Sequence, residues 1–433
     1  MKRYDIIIAG GGMAGLSLCY YLSQSSLRES SILLIDREIK DQNDRTWCFW
    51  EEGAGPFESI VFRSWQQVEF LGKKAARVLP TTQLAYKMIR GIDFYTFAHQ
   101  QLANLPNIEV RQASVESIQE TAAGGVVCAG NQTYVANYVF DSITPLSRNR
   151  PGNQNLLQHF KGWVITTERD CFNPACPRIM DFRTEQQSDC RFFYLLPFDK
   201  RTALVEYTVF SQEVLSGKEY TDALRNYIDK FIDTGGYRIQ ETERGIIPMT
   251  SQKPPAQLGG HVVRIGQSGG YTKPSTGYTF QRTQQQLRDM VAGLAETGEL
   301  PRQHAAGRNW IKRSLDTVFL NVLVQNRHSA ADVFARLFMR NKPVTLFRFM
   351  NEESTIWQDI QIIGSMPKLP FVRAAIDSLL TRLFDLPVVG RFLGEWSIAR
   401  KSSQMLRAKS PLLGKELAGS QKKQPATPAI EAR

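Results

Sequence analysis

Six residues near the start of the chain, Gly10-Gly11-Gly12-Met13-Ala14-Gly15, narrow the choice of fold more than any other feature. They follow a short apolar run, Tyr4–Ala9, that reads as a buried parallel strand, and they open Leu16–Ser23, which reads as a helix. Ser31–Asp36 is a second buried strand, so the opening is a βαβ unit. Within the GxGxxG spacing, Gly10 permits the tight turn, Gly12 lets the backbone approach a pyrophosphate, and Gly15 lets helix and strand pack closely. The start of the helix, with Ala14 in its first turn, offers free N–H groups and the positive end of the helix dipole. Asp36 follows at about the 20-residue distance at which an acid takes a ribose hydroxyl pair. Arg37, next to it, is counted with the same site. A glycine turn without a ligand is the alternative, and the strand, helix and acid around it argue for a bound dinucleotide.

A second strand–turn–helix signal lies far downstream. His261–Gly266 is apolar, residues 267–277 are rich in Gly, Ser and Pro, and Tyr278–Leu294 is helical in pattern. Between the two signals, Arg191–Pro197 and Thr202–Phe210 read as neighbouring antiparallel strands. After Arg308 the pattern is mostly helical to about Phe392. The expected class is α/β. A discontinuous Rossmann-type domain (1–150 and 256–300) surrounds an inserted substrate-domain sheet (151–255). A helical region (301–395) and a basic tail without fixed structure (396–433) follow.

Composition bounds the rest. With 433 residues, 42% of them hydrophobic, the chain can bury a substantial core. The net charge is +11, and residues 400–433 hold eight Lys or Arg against Glu416 and Glu431. Such a tail suits an anionic membrane face or a solvated end. No aromatic-plus-basic RNA-reading motif accompanies it, so nucleic acid is not expected as a partner. The six cysteines are scattered without a CxxC pair, which points to reduced thiols in a cytoplasm and to no metal site. No cleavable leader is expected ahead of the first strand, and no apolar run of about 18 residues marks a membrane-spanning helix.

FAD and NAD share the glycine fingerprint, and the downstream loop separates them. Gly266-Gln267-Ser268-Gly269-Gly270 followed by Pro274-Ser275-Thr276-Gly277 resembles the flavin-contacting loop of the FAD monooxygenase-like superfamily. In that superfamily, loop amides and a helix N-terminus sit near the isoalloxazine, which implies roles for Gly266, Gln267, Pro274 and Gly277. Arg90 resembles its phosphate-side arginine, with a surface arginine as the alternative. Phe140-Asp141-Ser142 resembles the strand that ends its first nucleotide-domain excursion.

Two segments bear on the reaction. In Thr46-Trp47-Cys48-Phe49-Trp50, Trp47 and Trp50 offer an aromatic wall to an apolar or cationic ligand, or else pack a core. In Leu204-Val205-Glu206-Tyr207-Thr208, Glu206 interrupts an apolar strand. It is either solvent-facing or buried, and burial would hold it protonated at neutral pH. Taken in order, Asn43…Thr46-Trp47, His159-Phe160-Lys161-Gly162-Trp163, Met180-Asp181, Tyr194-Leu195-Leu196-Pro197-Phe198, Leu204–Thr208 and Lys273-Pro274-Ser275-Thr276-Gly277-Tyr278 resemble the bacterial lycopene cyclases. Phe347-Arg348-Phe349 with Asp359-Ile360 resembles their helical C-terminal segment.

The resemblance implies cyclisation of lycopene or a related linear carotenoid with reduced FAD, NADPH as reductant and no net redox change. Glu206 matches the family's essential acid. The second acid that usually follows it is replaced here by Tyr207. A proton added to the terminal double bond gives a tertiary cation, which closes a ring and then loses a proton. An anionic flavin ~4 Å from the cation, at an effective dielectric of ~20, would contribute about 4 kcal/mol, roughly a thousandfold in rate. Trp47, Trp50 and Phe193 would add ring faces and exclude water. A substrate dissolved in lipid implies a protein lying on the inner face of the cell membrane. Phe334, Leu337 and Phe338, or Leu369–Phe384, are candidate docking stripes, with core packing as the alternative. A flavin oxidoreductase on the same fold is the competing activity, and Gln267, where Gly-Asp is common, weighs against it. A lipid-binding scaffold without chemistry is a third reading, opposed by the intact cofactor motifs.

Overall fold

The computed structural model describes residues 1–146, 153–252, 260–300 and 310–384. Residues 1–375 form one compact unit; the second, Ile376–Arg433, is described only to residue 384, so the proposed tail at 396–433 lies outside the described residues.

The first sheet is the nucleotide-binding one. Its order is Ile108–Gln112, Ile32–Asp36, Lys2–Ala9, Gln132–Asp141, Gly124–Ala129 and Val115–Thr121, with the last two strands antiparallel. The C-terminal half of Gln132–Asp141 also pairs in parallel with Val262–Arg264, which returns a distant segment to the sheet. Ile6, Ile8, Leu34, Phe140 and Val263 pack one face against the helices Met13–Ser23 and Phe280–Thr297. The Rossmann-type core is thus discontinuous, as the two strand–turn–helix signals imply.

The second sheet has seven strands in the order Tyr237–Thr250, Asn155–Thr167, Thr202–Ser211, Cys190–Pro197, Arg178–Asp181, Gln67–Leu71 and Ala76–Pro80. Its last two strands come from within the span 1–150, so the sheets divide the chain differently from a cut at residue 150. The central strands Thr202–Ser211 and Cys190–Pro197 are covered on both faces, which explains their nearly continuous apolar runs, whereas the edge strand Tyr237–Thr250 is mostly exposed or half-buried. One face, with Trp163, Phe193, Val205 and Tyr207, packs on the helix Gly217–Phe231. The other, with Phe192, Tyr194, Leu196, Leu204 and Phe210, packs on a three-stranded sheet (Thr46–Glu51, Ala85–Arg90, Arg63–Trp65) and on C-terminal helices.

Those helices are Trp310–Val324, Ala330–Arg340, Pro343–Met350, Ile356–Ser365 and Lys368–Phe384. Phe334, Leu337 and Phe338 are buried, Phe338 stacking on Phe70 at 4.6 Å. This stripe is core and does not dock on a membrane, because the second sheet supplies the apolar surface it needs.

Candidate active site

A cavity of about 420 Å³ runs between the two sheets, within the ~300–1,000 Å³ range of small-molecule sites. Its wall includes Gly12, Met13, Ala14, Gly266 and Gln267 as well as Tyr86, Tyr194, Leu196, Leu204, Tyr278 and Glu206. The cofactor motifs and the acid expected from the sequence therefore open onto one space.

The glycine turn fits the ADP half of FAD. A Cβ on Gly12 would meet nothing within 4 Å, so the open space lies directly beside its backbone. Gly10 adopts φ +104°, and a Cβ on Gly15 would stand 1.9 Å from the Gly10 carbonyl oxygen. The helix Met13–Ser23 has no side-chain cap, which leaves its first N–H groups available to an anion. Asp36 accepts the Gly11 and Glu38 N–H groups at 2.5 and 2.8 Å, placing its carboxylate against the turn but outside the cavity wall. In and around the downstream loop, Gly266 and Gly277 hold positive φ, and Gln158 Oε1, Ser275 Oγ and Tyr278 Oη are buried without a hydrogen-bond partner. Open space beside Gly12 and unmatched polar atoms around the loop fit a bound dinucleotide.

Other expected site residues lie elsewhere. Trp47 lines the cavity beside Phe280, but Trp50, three residues on, is fully buried and stacks on Phe347 at 4.0 Å. Trp50 is core, and of the two tryptophans only Trp47 lines the cavity. Phe193 faces away from the cavity and stacks on Tyr227 at 3.9 Å and Tyr207 at 4.8 Å. Alternation along its strand sends Tyr194 to the cavity and Phe193 to the helix behind the sheet. Arg90 is held by Asp93 through two hydrogen bonds of 2.7 and 2.8 Å and lies over the Phe62 ring, so it does not reach the cavity. Arg37 is exposed beside Glu38, and neither Gly10 nor Pro274 forms part of the wall.

Glu206 is 9% exposed and accepts the Thr208 hydroxyl at 2.6 Å. Burial, and then the neighbouring Glu243 carboxyl, push its pKa well above the ordinary value of 4.5. Its neutral acid form is thereby favoured, in a wall of tyrosines whose hydroxyls burial keeps protonated. Tyr207, where the second acid was expected, points to the opposite face, since adjacent residues of a strand alternate.

Glu243 escapes a reading of the sequence. It sits in Glu241-Thr242-Glu243-Arg244, which looks like a solvated strand, and only the register of the sheet brings it to Glu206. Tyr194 and Tyr278 belong to the family-like motifs, but the sequence assigns them no role; sheet register places Tyr194 opposite Glu206, and Tyr278 enters from the loop before the helix Phe280–Thr297.

The sequence profile of a family described as "Lycopene cyclase protein" matches residues 5–376. The lycopene beta-cyclase of Pseudescherichia vulneris is 25% identical over 396 residues, covering 86% of this chain and 96% of its own. That of a Paracoccus species is 26% identical over 389 residues, covering 85% and 95%. Among solved structures, a variant of halogenase PltM in complex with FAD has a TM-score of 0.55 at 13% identity, over 92% of this chain and 96% of its own, a likeness of fold.

Proposed function

This chain belongs to the lycopene cyclase family, and on that premise we propose that it is a flavin-dependent lycopene beta-cyclase, closing the acyclic end groups of lycopene into β-rings. The observation that carries this reading is a buried acid, Glu206, opening onto the same cavity as the glycine turn of the cofactor site.

The acid form of Glu206 gives its proton to the terminal double bond of the substrate. Tyr86, Tyr194, Tyr278 and Trp47 present ring faces to the tertiary cation. Phe160, Leu196, Leu204 and Ile247 add apolar wall, fix the fold of the polyene end and keep out the water that would trap the cation as an alcohol. Gly12, Ala14 and the start of the first helix would hold the pyrophosphate of FAD, and Gly266, Gln267 and Gly277 would contribute to the flavin side of the site. When bound in its reduced form, with NADPH as reductant, the flavin supplies negative charge beside the cation. Substrate and product are isomers, so NADPH is not consumed in step with product.

Lycopene partitions into lipid, and the protein lies on the inner face of the cell membrane to take it up. Supporting this are exposed apolar side chains at Trp310, Ile356, Trp357, Ile360, Ile363, Leu369 and Val372 together with the net charge of +11. Among the described residues, no helix is long and apolar enough to cross a membrane.

The test is expression in a lycopene-accumulating bacterium. A ring-bearing carotene of unchanged mass is expected. Glu206→Gln should abolish it while the purified variant keeps its yellow chromophore. Unchanged lycopene with properly folded yellow wild-type protein would refute the proposal.

A further inference from the structure

The second buried carboxyl has no part in the scheme above. The strand Asn155–Thr167 lies between the strands that carry Glu206 and Glu243, and its Gly162 is in register with both. Because Gly162 has no side chain, the two carboxyls meet across it. A Cβ there would stand 3.0 Å from Glu243 Cγ, 3.1 Å from its Oε1 and 2.9 Å from Leu204 Cδ1.

Glu243 is 7% exposed, and its Oε2 accepts the Thr46 hydroxyl at 2.7 Å. Its Oε1 is buried and receives no other donor, so the acid form of Glu206 is the donor that fits. Several titratable or charged groups face the pair. Arg45 approaches from the segment before Thr46, and its guanidinium also donates to the Arg244 carbonyl. Glu241 lies on the same strand as Glu243 and is hydrogen-bonded by Asn43. Cys48, Tyr86, Tyr194 and Tyr278 lie on the cavity side, and burial keeps all four protonated. Among the described residues neither carboxyl has a salt-bridge partner within 4 Å. Two such carboxyls in a dry site do not both ionise; they titrate as a unit and hold one proton between them.

We propose that Glu206 and Glu243 form a shared-proton pair, in which Glu206 touches the substrate and Glu243 is the positioning residue that keeps the proton on it. The proposal rests on the cyclase reading. The proton balance closes within the pair. The O–H bond of Glu206 breaks as a C–H bond forms at the terminal double bond. The ring C–C bond then forms, a ring C–H bond breaks, and that proton restores an O–H bond on the pair. Between those events both carboxyls are ionised beside the cation. Each favours the cation electrostatically, and their mutual repulsion raises the pair's affinity for the ring proton, so the reaction ends in an alkene. An acid at position 207 could not serve, because its side chain would lie on the other side of the sheet.

The experiment is the pH–rate profile of Glu243→Gln and Glu243→Asp on lycopene in detergent or liposomes, with flavin content measured. Glu243→Gln removes the charge that keeps Glu206 protonated. Its alkaline limb should move down by about one pH unit or more, and kcat near neutral pH should fall about a hundredfold, with KM and flavin content unchanged. Glu243→Asp should restore the limb. An amide variant with the wild-type limb and kcat overturns the pair, as does an aspartate variant with full flavin that behaves like the amide. Should the amide fail to fold, infrared difference spectra of wild type against Glu206→Gln decide. The pair requires two carboxyl bands to change, and a change in one isolated carboxyl overturns it. Wild-type protein without cyclase activity would instead refute the function itself.

Discussion

Gly12 and Gly15 share one turn and answer to different constraints. A methyl on Gly15 would collide with the Gly10 carbonyl oxygen, whereas one on Gly12 enters open space at an ordinary φ of −77°. Gly15→Ala should therefore cost stability, about 1–3 kcal/mol. Gly12→Ala should leave stability within about 0.5 kcal/mol yet weaken FAD binding about tenfold or more, near 1.4 kcal/mol. Denaturant unfolding of apoprotein and flavin titration separate the two effects. At the same scale, the raised pKa of Glu206 has a sign for stability. The folded protein keeps a proton that the unfolded chain releases near the ordinary value of 4.5. It binds more protons than the unfolded state, so stability is highest at low pH and falls as pH rises through the native value, by about 1.4 kcal/mol per pH unit for one proton. Thermal melts of wild type and Glu206→Gln across that range should show the slope in the first and its loss in the second.

At the scale of the element, the strands Cys190–Pro197 and Thr202–Ser211 sort their residues by parity. Tyr194, Leu196, Leu204 and Glu206 face the cavity; Phe193, Leu195, Val205 and Tyr207 face the helix Gly217–Phe231. That helix is held by a capping box in which Ser216 and Glu219 satisfy each other's backbone N–H groups. Phe193→Ala should thus cost about 3–5 kcal/mol through the cavity left against Tyr227 and Tyr207, while turnover per flavin-loaded molecule is retained. Denaturation midpoints combined with activity normalised to bound flavin check this. A large loss of normalised activity would return Phe193 to the substrate wall. The same parity separates Trp47 from Trp50. One lies against Phe280 on the cofactor side, the other against Phe347 in the core of the C-terminal helices.

For the whole molecule, the arrangement is an acid and a cofactor cradle on one cavity between two sheets, with C-terminal helices packed on the second sheet. The outer side of those helices stays apolar. In Ile356–Ser365, Ile356, Ile360 and Ile363 recur at helical spacing and Trp357 is 76% exposed. Substituting Trp357→Glu together with Ile360→Glu should reduce co-flotation with anionic liposomes severalfold. It should shift stability by only about 0.5 kcal/mol per site, because neither residue packs in the core. Equal flotation of this variant and wild type would remove that surface as the docking site.

The cofactor half was legible in the sequence because its requirements are local. A turn that needs glycines at fixed spacing, a strand before it, a helix after it and an acid at the next strand end are all set within forty residues of chain. The second strand–turn–helix signal was legible for the same reason, and the discontinuous sheet followed from the pair. Glu206 stood out because a charge in an apolar strand is costly wherever that strand is buried. The sequence did not determine which face each aromatic would take, since buried strands apolar on both sides carry no alternation to read. Nor did it bring Glu243 to Glu206. That meeting depends on the register of three strands separated by long stretches of chain and on the missing side chain of Gly162, and only the tertiary structure sets both.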